Sequence, residues 1–377
     1  MPYWRLSSFY FFYFASLGAL LPYWTPYLKN LGFSSFQIGN LMAIVMATKI
    51  IAPNVWGWIA DHTGKRMYIV RLASLLGAIC FAGVFISDDF WWLVLVMSTF
   101  SFFWNASLPQ LEATTMNHLG ERTHHYNMIR MWGSIGFIVL AVGLGYIVDW
   151  RGQYVVPQVI LLLFALIWVT SLLVPEQAAV NIPHEKTSLR SVLVRKDVIA
   201  LLASCFLIQA GHGPYYTFYT IYMGEHGYAS GLIGQLWALG VIAEIILFLF
   251  MFRLMPRYGC RRLLLVALML TTIRWVLIAK LPDSLPVVIF AQLFHAASFG
   301  VVHAVAIYLI HRSFTGRHQG RGQALYSSIS FGAGGAFGAF YSGMLWQGIG
   351  GGQVFMIAAL CSCLALWVVY RGVFDEV

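Results

Sequence analysis

Twelve apolar runs, each about twenty residues long, divide this chain almost end to end. They fall at roughly Leu6–Leu28, Phe36–Ala60, Tyr68–Ile86, Phe90–Met116, Ile129–Val148 and Tyr154–Val174, then at Val198–Met223, Leu232–Leu254, Arg262–Ala279, Leu285–Ile310, Gln323–Trp346 and Val354–Tyr370. A helix rising 1.5 Å per residue crosses the ~30 Å hydrocarbon core in a run of that length. Lipid offers the backbone no hydrogen bonds, so only helices and closed barrels span it. Barrel strands would read as ~10-residue alternating stretches, and these runs do not. Only 10% of the residues are charged, against about 25% in soluble domains, too few to coat a soluble core of this size. The expected fold is an all-α membrane protein with twelve transmembrane helices. The first run lacks a small-residue cleavage site and is expected to be retained as a span.

The net charge of +9 is scattered between the apolar runs. That is a topology signal, and it argues against a nucleic-acid partner. With the N-terminus placed in the cytoplasm, seventeen of the twenty-three Lys and Arg fall on cytoplasmic segments. Lys29, Arg151 and Lys280 fall on the opposite face, and Lys49, Arg130 and Arg274 lie inside spans. The positive-inside rule then puts both termini in the cytoplasm. The five cysteines sit in or beside apolar runs and form no disulfide framework.

The two halves repeat at an offset of about 195 residues. "LGFSSFQIGNL" (31–41) aligns with "HGYASGLIGQL" (226–236), and "PYWT" (22–25) with "PYYT" (214–217), three residues out of phase. Both halves begin on the same side, so the repeat is parallel. The expected domains are a six-helix bundle over 1–174, a cytoplasmic linker over 175–197 and a second six-helix bundle over 198–377, with a midplane cavity between the bundles.

A charge at the centre of a span costs about 2.5–3.5 kcal/mol and is by default functional. Two carboxylates lie well inside spans, Glu112 and Glu244, together with the bases Lys49, Arg130 and Arg274 and the imidazoles of His212, His295 and His303. At the repeat offset, Lys49 falls on Glu244. Glu112 and Arg130 flank one short loop, so they can either pair or share a ligand. Arg130 offers a planar fork suited to a carboxylate. Glu244 is the expected proton carrier, or else half of a fixed bridge to Lys49 or Arg274. His295 and His303 are eight residues apart, on roughly one helix face, either lining a cavity or bonding to neighbouring helices. His212 lies in "GHGP", where Gly and Pro are expected to interrupt span 7. Tyr23, Trp24, Tyr27, Tyr215, Tyr216, Tyr219 and Trp237 could form an aromatic cage or an interfacial belt.

"GWIADHTGKR" (57–66) resembles the loop signature of the major facilitator superfamily, with His62 in place of the usual basic residue. The resemblance implies a gating role for Asp61, Gly64, Lys65 and Arg66. The aspartate would meet a helix N-terminus near Gln323, an anion at the positive end of a helix dipole. Within the superfamily the chain is most similar to the 3-phenylpropionic acid transporter family, and more distantly to lactose permease. The carrying stretches are "LPYWTPYLKNLGFSSFQIG", "IRMWGSIGF", "QAGHGPYYTFY", "LWALGVIAEII", "IRWVLIAK" and "QLFHAASFGVVHAVAIYLI".

What this implies is a secondary transporter of the bacterial inner membrane. It would import an aromatic carboxylate such as 3-phenylpropionate with protons, by alternating access. The substrate-binding set is Glu112, Arg130, Tyr23, Tyr27, Tyr215, Tyr219 and His303; the proton-coupling set is Glu244, His295, Arg274 and Lys49. Three residues after the span-10 histidine the permease has a carboxylic acid; here that position is Ser298. A sugar or nucleoside symporter is the alternative, and a non-transporting receptor or scaffold is the rival of another class. An enzyme is not expected: neither H-E-x-x-H nor an ATP-binding G-x-x-x-x-G-K-[ST] loop occurs in the sequence. Neither cofactor nor metal is expected, and the chain is expected to act as a monomer in the bilayer.

Overall fold

Apolar runs with no water to bond to close their own backbone ladders, and every expected span is a helix in the computed structural model. The structure describes residues 2–120, 122, 125–177, 192–314 and 318–373, with the side chains of 318 and 319 excepted. Most of the expected linker, with Lys186 and Arg190, lies outside the described residues, as does Arg317.

The helices are α1 (Tyr3–Asn30), α2 (Ser35–Thr63), α3 (Arg66–Ala82), α4 (Phe90–Leu119), α5 (Tyr126–Arg151), α6 (Val155–Leu173), α7 (Lys196–Glu225), α8 (Ser230–Tyr258), α9 (Cys260–Lys280), α10 (Leu285–Ser313), α11 and α12 (Gly351–Gly372). α11 comprises the consecutive segments His318–Ser327, Ser328–Gly334 and Gly335–Ile349, the middle one wound as a π-helix. α10 likewise contains a π-helical stretch, Ala296–Val301. Most helices exceed the apolar runs by about a turn at one or both ends, because polar residues continue the ladder into the headgroup region.

The chain divides into two compact units: Met1–Asn181 with Gly227–Ala238, and Ile182–His226 with Leu239–Val377. In unit 1, α1 packs on α5 and α6, α3 on α4 and α6, and α2 on α4. In unit 2, α7 packs on α11 and α12, and α9 on α10 and α12. Most of the same pairings thus recur six helices later, which is the sequence repeat expressed as packing.

Close glycine crossings repeat as well. In unit 1 a Cβ on Gly18 would lie 2.5 Å from the Phe137 carbonyl oxygen, and one on Gly136 2.2 Å from that of Phe11. In unit 2 a Cβ on Gly213 would lie 2.2 Å from the Gly338 carbonyl carbon. Gly18 and Gly213 are 195 residues apart. Between membrane helices, close backbone approach replaces the hydrophobic effect as the source of adhesion. Gly213→Val therefore lowers the melting temperature in detergent, with a cost of about 1–3 kcal/mol from overpacking. Gly143→Ala, at a position with nothing within 4 Å, leaves it unchanged.

Span 7 is not interrupted at "GHGP". α7 runs through Pro214 as one helix. Proline removes the bond to the carbonyl four residues back, here that of Ala210, and the Tyr341 hydroxyl donates to that oxygen at 3.2 Å. A neighbouring side chain thus replaces the lost backbone donor, as membrane helices allow.

Helix starts differ between the repeats in an instructive way. Ser34 caps α2 with a reciprocal Ser34–Gln37 capping box. The equivalent residue 195 positions on is Ala229, which has no side-chain oxygen. Asp149, at the end of α5, supplies it instead: its two carboxylate oxygens accept from the Ser230 and Gly231 N–H groups at 2.8 Å each. The first turns of α8 thereby belong to unit 1, with Gly234 against the Ala141 carbonyl.

Candidate functional site: two buried polar clusters

Among the described residues, each unit holds a cluster of polar and charged side chains inside its spans. In unit 1 the guanidinium of Arg130 on α5 lies 3.7 Å from the centroid of Phe14 on α1, with the Tyr10 ring at 5.9 Å. Gly133, one turn along α5, makes room: a Cβ there would sit 2.7 Å from Phe14 and 2.8 Å from Arg130 Nη1. Arg130 makes no hydrogen bond or ion pair with any described residue, so its donor fork lies over an aromatic face but is left uncommitted.

Glu112 on α4 does not pair with Arg130 directly. It accepts a hydrogen bond from the Tyr126 hydroxyl at 3.3 Å. The Tyr10 hydroxyl donates to Thr115 at 3.3 Å, and Tyr13 stacks on Trp104 at 5.2 Å. Trp104 is 4% exposed, and its indole N–H has no acceptor among the described residues. Lys49 on α2 is half-buried and makes no ion pair among the described residues of unit 1; its neighbour Thr48 joins Ser101 and Asn105 instead.

In unit 2, Arg274 on α9 is fully buried and pairs with no carboxylate among the described residues. One Nη1 hydrogen bond goes to Ser298 Oγ at 2.9 Å, another to His295 Nδ1 at 3.1 Å, and Nη2 donates to Gln292 Oε1 at 3.0 Å. Tyr215 donates to the same Gln292 oxygen at 3.1 Å. The guanidinium also lies 4.3 Å from the Tyr215 ring centroid and 4.5 Å from that of Trp275. Arg274 Nε and Gln292 Nε2 have no hydrogen-bond partner among the described residues.

These contacts fix the tautomers. A guanidinium only donates, so His295 Nδ1 accepts, and the neutral ring carries its proton on Nε2. That nitrogen faces Glu244 Oε2 at 3.7 Å. His212 Nδ1 donates to the Ile208 carbonyl at 2.8 Å, leaving Nε2 to face Ser298 Oγ at 3.4 Å. Ser298 thus stands where the permease resemblance leads one to expect an acid, and a neutral hydroxyl serves Arg274 there. The π-helical stretch of α10 starts one residue after His295 and contains Ser298. Such stretches re-aim side chains and cluster at functional sites.

The remaining candidates are placed as follows. Tyr215 and Tyr219 pack with tilted rings 4.8 Å apart, and the Tyr215 ring lies under Arg274. His303 pairs with the Tyr326 hydroxyl at 3.0 Å, and Phe299 stacks between it and His295, at 5.6 and 5.7 Å. Tyr23 donates to the Ala141 carbonyl. Tyr27 lines a separate recess with Asp88 and Tyr154. In the α2–α3 turn, Arg66 bridges Asp61 and Gln110 at 2.7 Å each, Gly64 takes φ +66°, and Lys65 precedes α3. Sequence reasoning missed Phe14, Trp104, Tyr126, Gln292 and Asp149.

Comparison with known proteins agrees with this fold. Residues 3–357 match the model of the MFS_1 like family. The chain is 30% identical over 374 residues to a probable 3-phenylpropionic acid transporter of Escherichia coli, covering 96% of each chain. It is 26% identical to the maltose permease of Geobacillus stearothermophilus, covering 96% of this chain and 92% of that one. Among solved structures, a mutant form of the nucleoside transporter NupG superposes with a TM-score of 0.86 at 16% identity, covering 98% of this chain and 99% of that one. A bacterial homologue of the human lysosomal transporter Spinster superposes at 0.77 and 12% identity, covering 99% and 96%. The chain belongs to the MFS_1 like family and is a multi-pass membrane transporter of the major facilitator superfamily, not an enzyme.

Proposed function

We propose that the protein imports a small aromatic carboxylate, with 3-phenylpropionate as the model substrate, together with protons. The observation that carries this reading is the uncommitted Arg130 fork lying over the Phe14 ring. An arginine without a protein acceptor binds a carboxylate through two parallel hydrogen bonds. The aromatic wall of Phe14, Tyr13 and Trp104 suits a phenyl ring stacked or edge-on. Similarity to a probable 3-phenylpropionic acid transporter supports the same class.

Proton coupling is assigned to Glu244, oriented by His295 and Arg274, with Lys49 as a further cation; Tyr215, Tyr219 and His303 serve the same translocation path. Asp61, Gly64, Lys65 and Arg66 are assigned to gating between access states. The protein works as a monomer of two six-helix halves in the bacterial inner membrane, with both termini cytoplasmic. Glu112 favours a second reading. An acceptor-only carboxylate beside aromatic rings also suits sugar hydroxyls, as the likeness to a maltose permease suggests.

A thermal-shift comparison separates the two. With purified protein, 3-phenylpropionate raises the melting temperature, whereas maltose and uridine do not. A shift produced by maltose or uridine and not by the aromatic acid would replace the carboxylate reading with the sugar or nucleoside one.

A further inference from the structure

A recess of unit 2 lies apart from the buried cluster. It is a cavity of about 690 Å³ where the start of α7, the end of α8 and the end of α10 meet. That is the membrane end richest in Lys and Arg, with Arg253, Arg257, Arg261 and Arg262 close by in sequence. Its basic lining is Arg195, Lys196 and Arg312. One acid, Asp197, lines it, and that carboxylate is taken by Arg195 at 2.5 and 3.1 Å. Lys196 is exposed and has no ion pair among the described residues. Leu201 and Leu309 supply an apolar floor, and Tyr308, 47% exposed on the outside of unit 2, forms part of the rim.

We infer that this cavity holds the phosphate headgroup of an anionic phospholipid. Three features point to that occupant. The cavity sits at the ends of spanning helices, which is headgroup depth. Its surplus charge is positive, as basic pockets between transmembrane helices are when they bind acidic lipid. The apolar floor beside the exposed Tyr308 gives the first acyl carbons a surface continuous with the bilayer, which a free anion would not need.

The test uses the full-length protein in detergent with added dioleoylphosphatidylglycerol, dioleoylphosphatidylcholine or inorganic phosphate, read by native mass spectrometry and melting temperature. Phosphatidylglycerol is retained and raises the melting temperature; phosphatidylcholine and phosphate at equal concentration do not. Replacing Lys196→Gln and Arg312→Gln together weakens phosphatidylglycerol binding about 30-fold, the equivalent of two basic residues at about 1 kcal/mol each near an acidic lipid surface. Arg253→Gln, at the same membrane end but outside the cavity, retains full binding. Lys196→Gln alone changes an exposed side chain and gives about a fivefold loss, so the test survives misfolding of the double variant. Equal retention of both lipids, a full shift from phosphate alone, or unchanged binding in the Lys196 variants would overturn the assignment.

Discussion

Arg130→Lys weakens binding of 3-phenylpropionate by about 30-fold or more, although the position keeps its charge. The loss follows from geometry. The guanidinium carbon sits over the Phe14 ring at 3.7 Å, with Gly133 leaving the space it needs. A flat fork presents two parallel N–H groups to one carboxylate; an ammonium presents a point charge on a flexible stem. Hydrogen bonds to charged groups are worth about 1.5–3 kcal/mol each, so losing one of a bidentate pair accounts for the factor. Phe14→Leu acts in the same direction by releasing the plane of the fork. Isothermal titration of both variants checks the prediction, and unchanged affinity in Arg130→Lys would remove the carboxylate clamp.

The second large effect is on energetics rather than binding. Glu244→Gln abolishes accumulation against a gradient while leaving exchange of labelled for unlabelled substrate intact. Glutamine keeps the size of the side chain and an acceptor oxygen for the His295 Nε2–H, but it cannot load or release a proton. In the proposed coupling, His295 is a positioning residue. Arg274 donates to Nδ1, so the ring stays in the tautomer whose Nε2–H faces Glu244. A glutamine can also accept from Arg274 and donate to Glu244, so His295→Gln retains accumulation. His295→Leu loses it, because Arg274 loses an acceptor and Glu244 loses the N–H that orients it, at about 1–3 kcal/mol for a buried group so deprived. Uptake by proteoliposomes under an imposed pH gradient distinguishes the two variants.

The spans and the repeat were legible because lipid imposes them. Run length encodes the helix, and the offset that aligns "LGFSSFQIGNL" with "HGYASGLIGQL" also relates the crossing glycines Gly18 and Gly213. The charged members of both clusters were legible because charge inside an apolar run is costly and therefore conspicuous. Their partners were not. Phe14 ends the stretch "FYFFYF", where every residue is aromatic and no periodicity selects a face. Gln292 carries no charge, and its role depends on how α9 and α10 meet. The direct Glu112–Arg130 pairing considered from loop length does not form, because Tyr126 takes the carboxylate and Phe14 takes the guanidinium face. Asp149 read as an ordinary residue at a span end. The signal that could have found it was the missing side-chain oxygen at Ala229, where the first repeat has Ser34. The continuity of α7 through Pro214 required Tyr341, which is 127 positions away in the chain.

Proton-driven uptake of radiolabelled 3-phenylpropionate into proteoliposomes, alkaline inside, tests the central claim most directly. Because the protonated acid also crosses lipid unaided, the reference is vesicles carrying the Glu244→Gln protein. The account predicts faster and higher accumulation with the unmodified protein, abolished by a protonophore. Uptake equal to that of the Glu244→Gln vesicles would contradict it.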